Sequence, residues 1–154
     1  MKHLLILATM LLAFEFVSAQ TRIYNGNSIR SYDCIHTIYG GKIYKGNTTS
    51  SNDCQYTFDD YKVYKGNSIS SSDCLFTING DKIYKGNSIS SNDCLYTISN
   101  GKIYKGNSIR SSDCILTVVG NKVYRGNSIS FNDCLANFDG VVKHTLVAIL
   151  LGSY

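Results

Sequence analysis

The chain has 154 residues, 15 Lys and Arg against 11 Asp and Glu, and a net charge of +4. That charge is too small to point to nucleic acid or a membrane surface, and the length suits one domain. With 13 Gly, 12 Tyr and no Pro or Trp, the composition fits uninterrupted sheet, since proline removes a ladder hydrogen bond.

The chain opens with the basic start Met1-Lys2-His3, an apolar run from Leu4 to Phe14, and the small-residue site Val17-Ser18-Ala19. This pattern predicts a signal peptide over residues 1–19, cleaved between Ala19 and Gln20. The run is shorter than the ~20 residues that span a bilayer and is broken by Glu15, so no transmembrane span is expected in the mature chain. The expected location is extracellular or at the cell surface, with the periplasm as the alternative.

Residues 20–140 form a six-repeat domain. Cysteines stand at Cys34, Cys54, Cys74, Cys94, Cys114 and Cys134, each twenty residues after the last, and Tyr24 to Tyr124, Gly26 to Gly126 and Asp33 to Asp133 keep the same period. Such a period marks a stacked repeat. Each unit holds two segments of strand character, Lys-Ile-Tyr-Lys (Lys82–Lys85) and Cys-Leu-Tyr-Thr-Ile (Cys94–Ile98), separated by Gly, Asn, Ser and Asp. No helical period appears, so the repeats are all-β.

Two architectures carry this pattern. A β-solenoid makes each unit one of six coils, with equivalent residues about 4.8 Å apart along the axis. An antiparallel tandem-hairpin meander uses Asn79-Gly80 and Asn100-Gly101 as tight turns. The near-identity of the units favours the solenoid, because stacking rewards like on like. Strand alternation then places Cys94, Tyr96 and Ile98 inward, with Ile89 and Ile103 centring the other core sides, and Tyr104 outward. Leu95 fits this badly, being apolar on the outer side.

The cysteine row reads as a core column or as disulfides. Secretion permits disulfides, but the constant spacing suits small buried thiols. Residues 141–154 hold the apolar run Leu146–Leu151, expected as a cap over the end of the core or as a docking segment.

Catalytic chemistry is not encoded in any recognisable form. The histidines after the leader, His36 and His144, stand far apart, and no nucleophile elbow or phosphate loop occurs. No enzyme activity and no cofactor are expected. Zinc lacks close cysteine pairs. The Asp row could attract calcium, but Asp-capped turns are the simpler expectation, so no metal site is assigned.

The candidate binding face is Lys82, Tyr84, Lys85, Lys102, Tyr104 and Lys105, an array of cations beside aromatic rings. It suits an acidic polysaccharide or cell-surface polymer. The serine columns suggest ice binding as a minor alternative.

The unit Ile-Tyr-Lys-Gly-Asn-Ser-x-Ser-x-x-Asp-Cys-Leu-x-Thr-Ile resembles tandem repeats of uncharacterised secreted or surface proteins of bacteria, over about Ile23 to Phe138. The resemblance implies no activity. The sequence thus predicts a secreted, non-enzymatic protein with a structural or adhesive role at the cell surface or in the extracellular matrix, capable of self-association through stacked coils. A carbohydrate-binding module for acidic glycans is the alternative.

Overall fold

The computed structural model describes residues 19–152, so the signal peptide expected over residues 1–19 lies, but for its last residue, outside the described residues. Twelve strands follow in order: β1 (Thr21–Asn25), β2 (Cys34–Tyr39), β3 (Lys42–Lys45), β4 (Cys54–Phe58), β5 (Lys62–Lys65), β6 (Cys74–Asn79), β7 (Lys82–Lys85), β8 (Cys94–Ser99), β9 (Lys102–Lys105), β10 (Cys114–Val119), β11 (Lys122–Arg125) and β12 (Cys134–Phe138). The helix α1 (His144–Leu151) ends the described chain.

Each strand pairs antiparallel with its sequence neighbours, and β1 also pairs with β12, closing a barrel. The solenoid expectation is therefore corrected to a closed ring of six hairpins. The reason lies in the turns. Parallel coils need crossovers of about a dozen residues or more between paired strands, whereas here β2 and β3, and β8 and β9, are joined by two residues. Gly40 and Gly41 have φ of +57° and +71°, and Asn100 and Gly101 have +50° and +74°, the left-handed pair of a type I′ hairpin turn. Where glycine is missing, Asp59 substitutes for it: its carboxylate accepts the backbone N–H groups of Tyr61 and Lys62, both at 2.7 Å. With β1 on β12, both sheet edges are paired, and the end-to-end stacking expected of coils has no open strand to use.

The sixth hairpin contains both ends of the repeat domain. β12 meets β1 through Ile23–Phe138, Tyr24–Asn137 and Asn25–Ala136, so the first Ile-Tyr segment completes the last unit rather than starting its own. The tight turn that links the strands elsewhere is replaced here by contacts of Asp139 with Arg22 and Tyr24.

A bulge interrupts the pairing at the start of the Cys strands, for example between Cys114 and Leu116 opposite Tyr104 and Ile103. An inserted residue bends the strand and re-aims its side chain. That resolves the misfit of the Leu95 column: its members Ile35, Ile115 and Leu135 pack against the central core. Two other inward expectations fail: Cys94 pairs with Tyr84 and so faces away from the lumen-side Ile83 and Tyr96, and Ile89 leaves the core altogether. Ile89 is 63% exposed, and its equivalents Ile29, Ile69, Ile109 and Ile129 are exposed still further, because Ser-Ile-Ser lies in the long loops and forms no third strand.

The core fills the barrel. Ile23, Ile43, Val63, Ile83, Ile103 and Val123 are fully buried, and they share one cluster with Leu146, Val147, Ala148, Leu150 and Leu151 of α1. The helix reaches both walls: Gly152, just past its end, abuts Tyr96 of β8, while Leu151 lines a cavity with Asn25, Ile35 and Leu135 of β1, β2 and β12, nearly opposite in the strand order. A helix apolar on all sides is one that is surrounded. The dimensions agree. Twelve strands about 4.8 Å apart and tilted about 40° close into a ring roughly 24 Å across. Side chains from opposing walls take up about half of that, leaving room for one helix of about 10–12 Å. The tail 141–154, expected over the core or docked elsewhere, thus enters the lumen through its described part.

Candidate functional site: a cationic mouth

The barrel has two unlike mouths. At one lie the tight turns and the start of α1, where Lys143 pairs with Asp60. At the other lie the long loops, each closed by a single 3-10 turn such as Ser91–Asp93. The repeated polar residues build these loops. Ser28, Ser68 and Ser88 donate their hydroxyls to Asp33, Asp73 and Asp93 at 2.6, 2.5 and 2.6 Å. Ser108 and Ser128 do the same for Asp113 and Asp133. The same serine oxygen accepts the N–H two residues on, as in Ser90 to Ser88 at 3.0 Å. The Asp row is thus engaged in loop closure, and the serine row is not a free hydroxyl array. Among the described residues, no group of three or more His, Cys, Asp or Glu converges as a metal site.

Neighbouring loops are stitched together by asparagine. Asn67, Asn87, Asn107 and Asn127 donate to the carbonyls of Ser51, Ser71, Ser91 and Ser111 in the preceding loop at 2.7–3.0 Å. Asn27 carries the same contact across the seam to the Phe131 carbonyl at 2.9 Å. Lys42, Lys62 and Lys102 in turn donate to Asn67, Asn87 and Asn127 at 2.7–2.8 Å.

This dismantles the predicted Lys-Tyr face. Alternation puts Lys82 and Tyr84 on one side of β7 and Lys85 on the other, and β9 divides Lys102 and Tyr104 from Lys105 likewise. Tyr84 and Tyr104 are 7% and 9% exposed, held between Thr77 and Cys94, and between Thr97 and Cys114, across both strand interfaces. The rings are therefore wall packing, and Lys102 is a loop stitch.

Lys85 and Lys105 belong to a different assembly. Lys85 pairs with Phe76 and Lys105 with Tyr96, on the face of Ile83 and Ile103, which is the lumen side. Lys45, Lys65 and Arg125 take the same place opposite His36, Tyr56 and Leu116. Five exposed cations thus ring the long-loop mouth, with Asn25 at the sixth position. Neighbours stand two strand spacings apart, about 10 Å.

Between adjacent hairpins the mouth is indented in a repeating manner. One depression of about 380 Å³ is lined by Cys34, Ile35, His36, Lys45, Gly46 and Gln55. The next, about 480 Å³, is lined by Cys54, Gln55, Tyr56, Lys65, Gly66 and Leu75, the same positions one unit on. At the seam, Cys134, Leu135, Asn25, Ile35 and Leu151 line a third of about 240 Å³. Each combines apolar side chains with at least one polar or cationic group.

The six cysteines are free. The sulfurs sit at the bulges, where Cys54, Cys74 and Cys114 approach the carbonyls of Gly66, Gly86 and Gly126 at 3.4–3.5 Å. Those carbonyls also accept Thr57, Thr77 and Thr117 hydroxyls at 2.6–2.7 Å. Burial pushes the Cys34 and Cys134 thiols up, which disfavours the reactive thiolate.

Fold and site define a closed ring of six β-hairpins with a helix in its lumen and cations around one mouth. The family described as 6-fold beta flower protein matches residues 13–120, more than half of the chain, and the chain belongs to that family. Comparison with curated proteins and with solved structures returned no match.

Proposed function

We propose that this is a secreted, non-enzymatic adhesive module that holds acidic polysaccharide at the cell surface or in the extracellular matrix through its cationic mouth. The observation that carries this reading is the placement of Lys45, Lys65, Lys85, Lys105 and Arg125 on one face around one opening, all exposed. Carboxylates spaced along a polymer can engage several of these cations at once, and linked weak contacts multiply into useful avidity. The adjoining depressions offer apolar floor to sugar faces. Placement outside the cell rests on the leader read in residues 1–19.

The test is retention on immobilised polyuronate across a salt gradient, because contacts between exposed charges weaken as ionic strength rises. Lys85→Glu with Lys105→Glu is expected to abolish retention. Lys143→Gln, at the opposite mouth, is expected to leave it unchanged. Equal retention of both variants removes the mouth from the reading.

A further inference from the structure

In a ring of near-identical units, each unit is a control for the others. The depression at β2, β3 and β4 departs from the pattern twice, at adjacent points. His36 stands where other units have Tyr56, Phe76, Tyr96, Leu116 and Ala136. Gln55 stands where they have Ile35, Leu75, Leu95, Ile115 and Leu135. Both side chains line the same cavity of about 380 Å³, beside the Lys45 ammonium and the apolar Ile35.

Burial pushes the His36 imidazole down, and the adjacent Gln55 side chain and Tyr44 backbone offset this only in part. His36 Nδ1 and Gln55 Oε1 are both buried, and neither has a partner in full hydrogen-bond geometry. A buried polar atom left unpaired is destabilising, and the other units show that apolar residues build the same wall. Two polar replacements beside one depression cost stability that apolar residues at the same places would not.

We propose that this depression is a specific subsite for one acidic sugar residue, a hexuronate, recognised by Lys45, His36 and Gln55. The choice of ligand class rests on the acidic-polysaccharide reading above. Lys45 meets the carboxylate, as a point charge on a flexible stem. The Gln55 amide and the His36 imidazole engage ring hydroxyls as their side chains turn toward the sugar, each able to donate or accept according to amide orientation and tautomer. Ile35 supplies an apolar surface for one face of the sugar. The cavity falls in the size range of small-molecule clefts. The neighbouring depression keeps the cation, Lys65, and shares Gln55 at its edge, but has Tyr56 in place of His36 and Leu75 in place of Gln55, so only the first sets an amide and an imidazole beside one cation.

The experiment is a titration of the protein with sodium glucuronate, followed by the imidazole carbon and proton resonances of His36, with exposed His144 as the internal reference. The expected result is a saturable shift of His36 alone, absent with acetate at equal ionic strength. The variant His36→Phe with Gln55→Leu, which restores residues found elsewhere in the ring, should fold at least as stably and bind glucuronate about tenfold more weakly. Unmoved His36 resonances, equal shifts with acetate, or unchanged affinity of the restored variant overturn the subsite. If polyuronate retention depends on Lys85 and Lys105 while glucuronate leaves His36 unmoved, the subsite is wrong and the ring reading stands. If His36 responds to glucuronate but polyuronate is not retained, the subsite stands and the ring reading is wrong.

Discussion

Asp139 accepts the backbone N–H of Arg22 at 2.6 Å and its guanidinium at 3.2 Å, joining the two ends of the repeat domain where a covalent turn joins every other hairpin. The Tyr24 hydroxyl adds a third bond at 2.9 Å. Partial burial pushes the Asp139 carboxyl up, but the hydrogen bonds from the Arg22 backbone, Tyr24 and the Arg22 guanidinium outweigh it and hold the carboxyl below its usual value. A group whose folded pKa is depressed stabilises the fold above its unfolded value, and that contribution is lost as pH falls through the folded value. Asp139→Asn should therefore destabilise the protein at pH 7 and cease to differ from the parent under acid conditions. The pair is about one-third exposed, so the loss should be about 1 kcal/mol. Thermal unfolding of both proteins between neutral and acid pH checks this, and a difference independent of pH would count against the seam carboxylate.

At the same seam Asn137 stands where five units have threonine. Those threonines, from Thr37 to Thr117, donate to the glycine carbonyls Gly46 to Gly126 at 2.6–2.7 Å. Asn137 is 5% exposed, and its Oδ1 has no hydrogen-bond partner. Asn137→Thr should restore the missing donor to Gly26 and remove the orphan. The expected gain is about 1 kcal/mol, read as a rise of a few degrees in Tm. A fall in Tm would mean that the asparagine has a partner in solution.

The repeat period, the strand segments and the Asn-Gly turn signals are legible in the sequence because they are local, but the near-identity of the units weighs against the turns and favours the solenoid. Closure is not legible there. It depends on Thr21–Asn25 finding Cys134–Phe138, and a solenoid and a ring share one period. Lys85 and Lys105 were legible as candidate contacts, but their company was not: alternation separates them from Tyr84 and Tyr104 and gathers them with Lys45, Lys65 and Arg125. The bulge that turns the Leu95 column inward leaves no mark in composition. His36 and Gln55 were readable as departures from the repeat, and only the cavity makes them neighbours. The tail gave no helical signal because α1 is apolar on every side and its N-terminus carries no side-chain cap.

The thiols offer a direct chemical check. Native protein should react slowly with an alkylating reagent, since burial raises Cys34 and Cys134 and disfavours their thiolates. In denaturant without reductant, all six cysteines should be modified. Intact-mass measurement counts the adducts. Fewer than six before reduction would place disulfides in the ring.

The helix in the lumen makes a sharper demand on energetics, because it is the only described segment that can fill a barrel of this width. Val147 is fully buried while Val141, outside the helix, is 95% exposed, so the same substitution at both sites sets a packed position against a free one. Val147→Ala removes methyl groups from a space the surrounding wall, held by its own ladder, cannot close. It should cost about 2 kcal/mol, within the range of buried truncations. Val141→Ala should change stability by less than about 0.5 kcal/mol. Denaturant unfolding gives both values. If the helix lay outside the wall, both sites would tolerate alanine alike, and an apolar dye would find the lumen open in the parent protein. With the helix inside, the dye should bind only when Leu146 to Leu151 are displaced, as by Ala148→Glu, which sets an unpaired charge at a position with no exposure.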